Sequence, residues 1–254
     1  MITILWWLTA CAGGKGIQAL PAAESVLGWR LVPGQQLRYR LTTAWEAQDQ
    51  VRTRVEEWQY EVTQVDGRGD AWLEGRLTAF GVALDALGGP VDEDRYLRAR
   101  QAERDRRSAE PVSLVLSMDG RLVDLAAGPW SDALPHRLLG LRLPQQGVSP
   151  GDDWPDPTLA RPFADLWPPS VDLEVDGHHA LSGLFRVDGA PMAKVHSEGA
   201  AGPGAGDLPP IGLSGDSWWN LRLGRLHARD LAVDWETTET QGPGQLLLSL
   251  ETLD

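Results

Sequence analysis

Cysteine is almost absent from this chain, since Cys11 is the only one in 254 residues. A single cysteine excludes an intramolecular disulfide and any metal site built from several thiolates. Positive charge is also scarce, because 23 Lys and Arg stand against 36 Asp and Glu and give a formal net charge of −13. Such a field repels phosphate backbones, so no nucleic-acid partner is expected. No apolar run reaches the roughly 20 residues of a membrane-spanning helix, and any membrane attachment must therefore come from a lipid or a surface.

Familiar catalytic motifs are missing as well. The sequence contains no Gly-x-Ser-x-Gly, no His-Glu-x-x-His, no P-loop and no dinucleotide-binding glycine pattern. These absences predict that the protein is not an enzyme and that it holds no cofactor. A hydrolase acting through the loop carboxylates Asp152, Asp153 and Asp156 is the alternative, because acid–base catalysis needs only two suitably placed carboxyl groups.

Histidine is rare, and His178, His179 and His196 form the one cluster among the five. Adjacent histidines in a strand point to opposite faces, so a shared metal ion would require a turn at Gly177. Solvated histidines at a turn are the favoured interpretation, and no metal is expected. A metal site at these three residues is the alternative.

Residues 2–10 form an uncharged, largely apolar run that ends in small residues, as export signals do. The string Leu8-Thr9-Ala10-Cys11 resembles the bacterial lipobox, in which an apolar residue and two small residues precede a cysteine. The resemblance implies that residues 1–10 are a signal peptide and that Cys11 receives a diacylglycerol on its thiol and an acyl chain on its new amino group. Covalent chains contribute about 0.8 kcal/mol per buried CH₂ and would hold the protein on a membrane. The alternative is a buried N-terminal strand with an inert core cysteine.

The residues after the cysteine bear on location. Residues 11–26 are small and polar with Gly and Pro, which is typical of a flexible tether. In lipoproteins of envelopes with two membranes, an Asp directly after the cysteine commonly marks retention at the inner membrane, whereas this chain has Ala12. The resemblance therefore implies a cell-envelope protein anchored to the outer membrane and facing the periplasm or the cell surface.

Beyond the tether, the dominant pattern has period two, the spacing that places alternate side chains on opposite faces of a strand. Large residues share one face in two stretches, at Leu37, Tyr39, Leu41, Thr43 and Trp45 and at Trp58, Tyr60 and Val62. An apparent change of phase at Glu56-Glu57 predicts a β-bulge there.

Asp-Gly dipeptides between such stretches predict hairpins, because both residues tolerate the positive φ of a type I′ turn. They occur at Asp66-Gly67, Asp119-Gly120, Asp176-Gly177 and Asp188-Gly189. The pattern predicts an all-β fold, an antiparallel meander of hairpins that forms a sandwich or a curved half-barrel with little helix. The β domain is expected to span 27–254. Recurring turn tripeptides suggest two related β units, 27–143 and 150–254, with chance recurrence as the alternative.

Helix signals are few. Residues 92–109 form a polar segment that reads as a helix or as a polar hairpin strand, and a short helix is an option around 130–141.

Aromatic residues suggest where a hydrophobic ligand would bind. Trp45, Trp58, Tyr60 and Trp72 fall on neighbouring predicted strands and would line a pocket for an acyl chain. Building the core is the more usual role of large aromatics on strand faces, and it is the favoured interpretation.

The function predicted from these features is a non-catalytic structural or interaction module that binds another envelope component. The alternative is a carrier or receptor for a hydrophobic ligand such as a lipid, which a sheltered apolar cavity of several hundred Å³ would favour. The third hypothesis is the hydrolase, which would gain support if one of its aspartates faced a cleft together with a histidine.

Overall fold

The computed structural model describes residues 16–47, 50–86, 93–108, 111–126, 136–159, 173–203, 211–235 and 244–253. The predicted signal peptide, residues 1–10, and Cys11 lie outside these residues. The described part contains one helix, α1 (Glu93–Ser108), and twelve strands. The strands are β1 (Gln18–Ala19), β2 (Gln36–Ala47), β3 (Gln50–Val65), β4 (Ala71–Ala86), β5 (Val112–Leu116), β6 (Leu122–Ala126), β7 (Asp153–Pro155), β8 (Leu173–Val187), β9 (Ala190–Pro203), β10 (Ile211–Asn220), β11 (Arg225–Trp235) and β12 (Gly244–Thr252).

All twelve strands belong to one open antiparallel sheet in the order β1-β8-β9-β10-β11-β12-β2-β3-β4-β5-β6, with β7 also paired to β8. Two five-stranded meanders, β2 to β6 and β8 to β12, are joined by the pairing of β12 with β2. The all-β antiparallel prediction is confirmed. A single hydrogen-bonded sheet corresponds to the curved half-barrel rather than to the sandwich.

The sheet is strongly curved. Five strands separate β6 from β11, and strands spaced about 4.8 Å apart would place them roughly 30 Å from each other in a flat sheet. Leu122 of β6 and Leu231 of β11 nevertheless line the same cavity. The sheet therefore bends until its two halves face a common interior.

The hydrophobic core lies on the concave face. Leu37, Tyr39 and Leu41 of β2 are buried there, as the period-two pattern predicts. Two stretches without long strands, 27–31 and 136–159, cover the core, and Trp29 packs edge-on against Trp219 of β10 with ring centroids 4.9 Å apart. Leu143, Val148, Trp154 and Leu159 of the second stretch are thus part of the core.

The bulge predicted at Glu56-Glu57 lies on the other strand. Glu57 pairs with Ala79 and Trp58 with Leu77, so the extra residue is Thr78 of β4. The phase of β3 does not change, because Glu56 is buried on the same face as Trp58. A carboxylate is tolerated at that depth because it accepts a hydrogen bond from Trp58 Nε1 at 2.8 Å and pairs with Arg54 at 3.1 Å.

Three of the four Asp-Gly hairpins are confirmed, at Asp66, Asp119 and Asp188. Asp188 and Gly189 form a two-residue turn with φ of 48° and 82°, which is the type I′ geometry. The turn predicted at Asp176-Gly177 is wrong, because both residues lie inside β8 and Gly177 pairs with Gly199.

Within the polar segment at 92–109, the described residues 93–108 form a helix, α1, and not a hairpin strand. The option of a helix at 130–141 falls partly outside the described residues, which show one helical turn from His136. Gln18 and Ala19, within the predicted tether, pair with the edge of β8. Among the described residues, no helix is long and apolar enough to cross a membrane.

Candidate ligand-binding site

A cavity of about 760 Å³ opens between four parts of the chain. Its walls are the β5–β6 hairpin, the segment 136–142, the segment 156–159 that follows β7, and β11. Apolar side chains contributed by all four parts line it, namely Leu122, Leu125, Leu138, Leu159 and Leu231. The cavity is partly open to solvent, and leucines form part of each wall.

Charged side chains share this lining, and positive ones prevail. Four arginines, Arg121, Arg137, Arg142 and Arg229, stand against two aspartates. In a chain with a net charge of −13, a cavity with this balance is a local exception. The field inside therefore favours an anion.

Arg229 is the most deeply placed of these arginines, with 3% of its surface exposed. Its Nη1 donates hydrogen bonds to the carbonyl oxygens of Leu138 at 3.0 Å and Gly140 at 2.6 Å. Its Nε is buried with no hydrogen-bond acceptor in the part of the chain that the structure describes. Burial lowers the pKa of Arg229 to about 10, and the charge of Asp156 partly offsets that effect. The guanidinium therefore stays positive at neutral pH.

Asp156 lies beside the cavity within a buried hydrogen-bond network. Its Oδ2 is 3.1 Å from His179 Nε2, and its Oδ1 accepts from the hydroxyl of Thr158 at 2.6 Å and from the backbone N–H of the same residue at 2.9 Å. Burial alone would raise the pKa of Asp156, but the bonds from His179 and Thr158 lower it to about 2. Asp156 is therefore ionised at neutral pH.

His179 is the neutral member of this network. Burial lowers its pKa, and the hydrogen bond to Asp156 only partly opposes that shift. The neutral ring donates from Nε2 to Asp156 and accepts at Nδ1 from the hydroxyl of Ser197, 2.9 Å away. This tautomer follows from the bonding partners, and it leaves no proton donor of the ring unused.

The glycine that the sequence pattern assigned to a turn positions this network. The backbone N–H of Asp156 donates to the carbonyl of Gly177 at 2.7 Å. A Cβ at position 177 would lie 2.7 Å from the carbonyl oxygen of Asp156 and 2.9 Å from Leu159 Cβ. Only glycine lets the segment 156–159 approach β8 closely enough to form this wall of the cavity.

The hydrolase hypothesis required one of its aspartates to face a cleft together with a histidine. Asp156 lines the cavity but His179, which is bonded to it, is fully buried, and the series Ser197, His179 and Asp156 does not suit nucleophilic catalysis. Ser197 and His179 are fully buried, so a substrate carbonyl has no access to the serine hydroxyl. A nucleophile must reach the reacting atom before its base can act. Asp152 and Asp153 are exposed on the adjoining turn and strand. The network is therefore a buried set of hydrogen bonds that holds the Asp156 carboxylate in place.

The metal candidates are not brought together. His179 points into the core, whereas His178 and His196 lie on the outer face, where His178 is 3.9 Å from Glu198 and His196 is 2.9 Å from Asp216. No group of three or more His, Cys, Asp or Glu that could hold a metal ion occurs among the residues described here.

The aromatic pocket candidates do not line the cavity. Trp58 and Tyr60 are buried in the core, where they stack with ring centroids 6.2 Å apart and both contact His136. Trp72 is half-buried, and Trp45 is 38% exposed towards one end of β2. Trp58 and Tyr60 are therefore core residues, whereas Trp45 and Trp72 belong neither to the core nor to the cavity.

The residue that sequence reasoning missed is Arg229. Leu231 and Val233 are buried on the inner face of β11, and period two places position 229 in the same row. A charged residue at a strand position where the pattern calls for a buried apolar one is the signal that could have identified Arg229. The apolar members of the strand alone do not reveal it.

The buried ionised Asp156 predicts a pH effect. A carboxyl whose folded pKa is about 2, against an ordinary 3.8, stabilises the fold above pH 4, and this stabilisation of about 2 kcal/mol is lost as the pH falls from 4 to 2. The loss of unfolding free energy caused by Asp156→Asn should therefore be larger at pH 7 than at pH 2.5, as measured by urea denaturation. Asp153→Asn, at an exposed site on the same segment, is the control and should cost less than about 0.5 kcal/mol at either pH. An equal cost of Asp156→Asn at both pH values would contradict the assignment.

The sequence matches no family model and no curated protein. Solved structures do match in fold, and one is lipovitellin, described for its lipid–protein interactions, with a TM-score of 0.52 and 10% identity over 89% of this chain and 26% of that one. A DUF1329 family protein from Desulfovibrio piger ATCC 29098 matches with a TM-score of 0.26 and 9% identity, over 86% of this chain and 84% of the other. This chain thus spans about a quarter of the lipovitellin chain, and the two share an antiparallel β fold.

Proposed function

We propose that this protein is a non-catalytic carrier or receptor for a hydrophobic ligand, which it binds in the cavity on the concave side of its sheet. The observation that carries the proposal is the cavity of about 760 Å³ with leucines from all four walls. Ligand pockets commonly measure about 300–1,000 Å³ and combine an apolar lining with a few placed polar groups. The cavity lies within this range of volumes, and its leucines share the lining with charged side chains.

A structural or interaction module, the function favoured on sequence grounds, is the second candidate. A module that only presents a surface to a partner does not require a cleft of this size. The fold shared with lipovitellin, a protein described for its lipid–protein interactions, makes lipid the first class of ligand to test. The carrier is therefore placed before the module.

The proposal includes export and a lipid anchor. The string Leu8-Thr9-Ala10-Cys11 supports acylation of Cys11, and Ala12 supports the outer membrane as the destination. An anchored protein with an open cavity would take up its ligand from, or deliver it to, the membrane on which it sits. Another envelope protein is the expected partner in that exchange.

Mass spectrometry of the full chain purified from bacterial membranes tests both parts. Under denaturing conditions, the chain should lack residues 1–10 and carry the covalent mass of a diacylglycerol and an acyl chain. The Cys11→Ala variant should keep residues 1–10 and carry no covalent lipid. Under native conditions, both proteins should carry an additional lipid mass that disappears on denaturation.

The two parts fail separately. A clean native mass without bound lipid would contradict the carrier and favour the interaction module. An absence of covalent acyl mass, or its persistence in Cys11→Ala, would contradict the anchor alone.

A further inference from the structure

We infer that the ligand of the cavity is an anionic amphiphile, whose acidic headgroup binds the guanidinium of Arg229 and whose alkyl chain lies against the leucines. This inference rests on the proposed function and specifies its ligand class. It depends on an arginine placed where the fold alone would call for an apolar residue.

The first argument is the charge state of Arg229. The side chain is almost fully buried and keeps its positive charge, yet no carboxylate forms an ion pair with it among the residues that the structure describes. Burying a charge without a paired counter-charge is costly. An acidic headgroup in the cavity would supply the missing counter-charge.

The second argument is the hydrogen bonding of the same group. Both hydrogen bonds that described residues accept from this guanidinium come from Nη1, while Nε has no acceptor. The carbonyls of Leu138 and Gly140 therefore hold the planar group in place, and because Nε is enclosed by protein, Nη2 is the nitrogen left to meet a ligand. A hydrogen bond from a guanidinium to a carboxylate or phosphate group is charge-assisted and stronger than a neutral one, and a guanidinium that is already held in place loses little freedom in forming it.

The third argument is that the nearby acid is already engaged. Asp156 lines the cavity, but its two carboxylate oxygens are bonded to His179 and to Thr158. Its charge lowers the cost of burying Arg229 without occupying the guanidinium. At the rim, Arg121 is paired with Asp119 at 2.9 Å, so the buried arginine and not this one is the primary contact.

The apolar wall lies directly beside the charge. Leu231 is two residues along β11 on the same face as Arg229, at a distance of about 7 Å along the strand, and Leu159 and Leu122 line the same space. A headgroup on Arg229 thus places the first carbons of an alkyl chain on leucine. This order of charge and apolar surface matches an acid with one long alkyl chain.

Calorimetric titration with three amphiphiles of equal chain length tests the inference: dodecanoate, dodecyl phosphate and uncharged dodecanol, each below its micellar concentration. The protein is the full chain carrying Cys11→Ala, so that no covalent acyl chain competes with the probes for the cavity. We expect both anions to bind roughly 10- to 100-fold more tightly than dodecanol, the range given by hydrogen bonds to a charged group. The tighter of the two anions distinguishes a carboxylate headgroup from a phosphate headgroup.

Variants at two arginines assign the effect to the site. Arg229→Met should reduce the affinity for both anions to that for dodecanol and leave dodecanol binding unchanged. Arg222→Met, which removes the same charge from an exposed position in the β10–β11 turn, should bind all three probes as the parent does. Should Arg229→Met not fold, Arg229→Lys keeps the charge but removes the planar fork, and it should weaken binding of both anions.

The outcomes separate the inference from the proposed function. Equal affinity for dodecanol and the two anions, or full anion affinity in the Arg229 variants, would overturn the anionic headgroup while the hydrophobic carrier stands. A failure of all three amphiphiles to bind would overturn the carrier itself.

Discussion

Gly120→Ala is expected to destabilise the protein by more than about 4 kcal/mol, a magnitude seen only when a substitution disrupts tightly packed structure. Gly120 has φ +81°, in the left-handed region, and a Cβ at this position would overlap the carbonyl oxygen of Leu141. Neither group can withdraw easily, because Leu143 N–H donates to the carbonyl of Asp119 at 2.6 Å and ties the two backbones together. The left-handed backbone strain and the steric overlap therefore both contribute to the loss of unfolding free energy.

Gly34→Ala is the matched control for this prediction. Gly34 has φ +82°, nearly the same as Gly120, but a Cβ there meets no atom within 4 Å. It should cost only the left-handed strain of an L-residue, about 1–2 kcal/mol. Urea denaturation followed by far-UV circular dichroism gives both values. Similar losses in the two variants would show that φ alone limits position 120 and that the contact with Leu141 can relax.

The Gly120 contact also links the fold to the site. The β5–β6 hairpin lines the cavity from one side, and the segment 136–142 that it contacts lines it from another. Trp29 contacts the same hairpin, because its backbone N–H donates a hydrogen bond to the carbonyl of Met118 at 3.2 Å. A change at Gly120 is therefore expected to weaken ligand binding together with stability.

The sheet could be predicted from sequence because its signals are local. A period of two depends only on the extended backbone, and it places Leu37, Tyr39 and Leu41 correctly on the inner face. Asp188-Gly189 is a turn for reasons contained in the two residues, namely their tolerance of positive φ. Such features need no knowledge of distant parts of the chain.

Gly177 shows where this reasoning ends. The same dipeptide that makes a turn at Asp188 lies inside β8 at Asp176, because Gly177 is needed for the approach of segment 156–159. That segment is some twenty residues away in sequence, and the conformational preferences of Asp176 and Gly177 do not depend on it. The bulge lies at Thr78 and not at Glu56-Glu57 for a related reason. A glutamate in a strand is expected on the exposed face, but Glu56 is buried because it pairs with Arg54.

The candidate site depends almost wholly on such distant contacts. Asp156, His179 and Arg229 come from a loop and two strands that are not neighbours in the sheet. Each departs from the apolar pattern of its surroundings, which is the usual mark of a functional position in an otherwise consistent sequence. A polar residue in a buried row, such as Arg229, is therefore a better pointer to the site than the tryptophans were.

Trp219→Ala is expected to reduce the free energy of unfolding by roughly 3–5 kcal/mol, the range for truncating a large buried aromatic side chain. Trp219 is fully buried on the concave face and meets Trp29 edge-on at 4.9 Å, so its removal leaves a cavity under the segment that closes the core. Trp218→Ala is the matched control, because its neighbouring side chain points to the outer face, half-buried, with Phe185 at 5.5 Å and Lys194 at 5.8 Å from its ring. The control should cost about 1 kcal/mol, the typical loss for a single substitution. Urea denaturation of both variants by far-UV circular dichroism measures the difference without relying on tryptophan fluorescence. Since adjacent residues on a strand differ only in the face they occupy, equal losses would mean that the concave face does not hold the core.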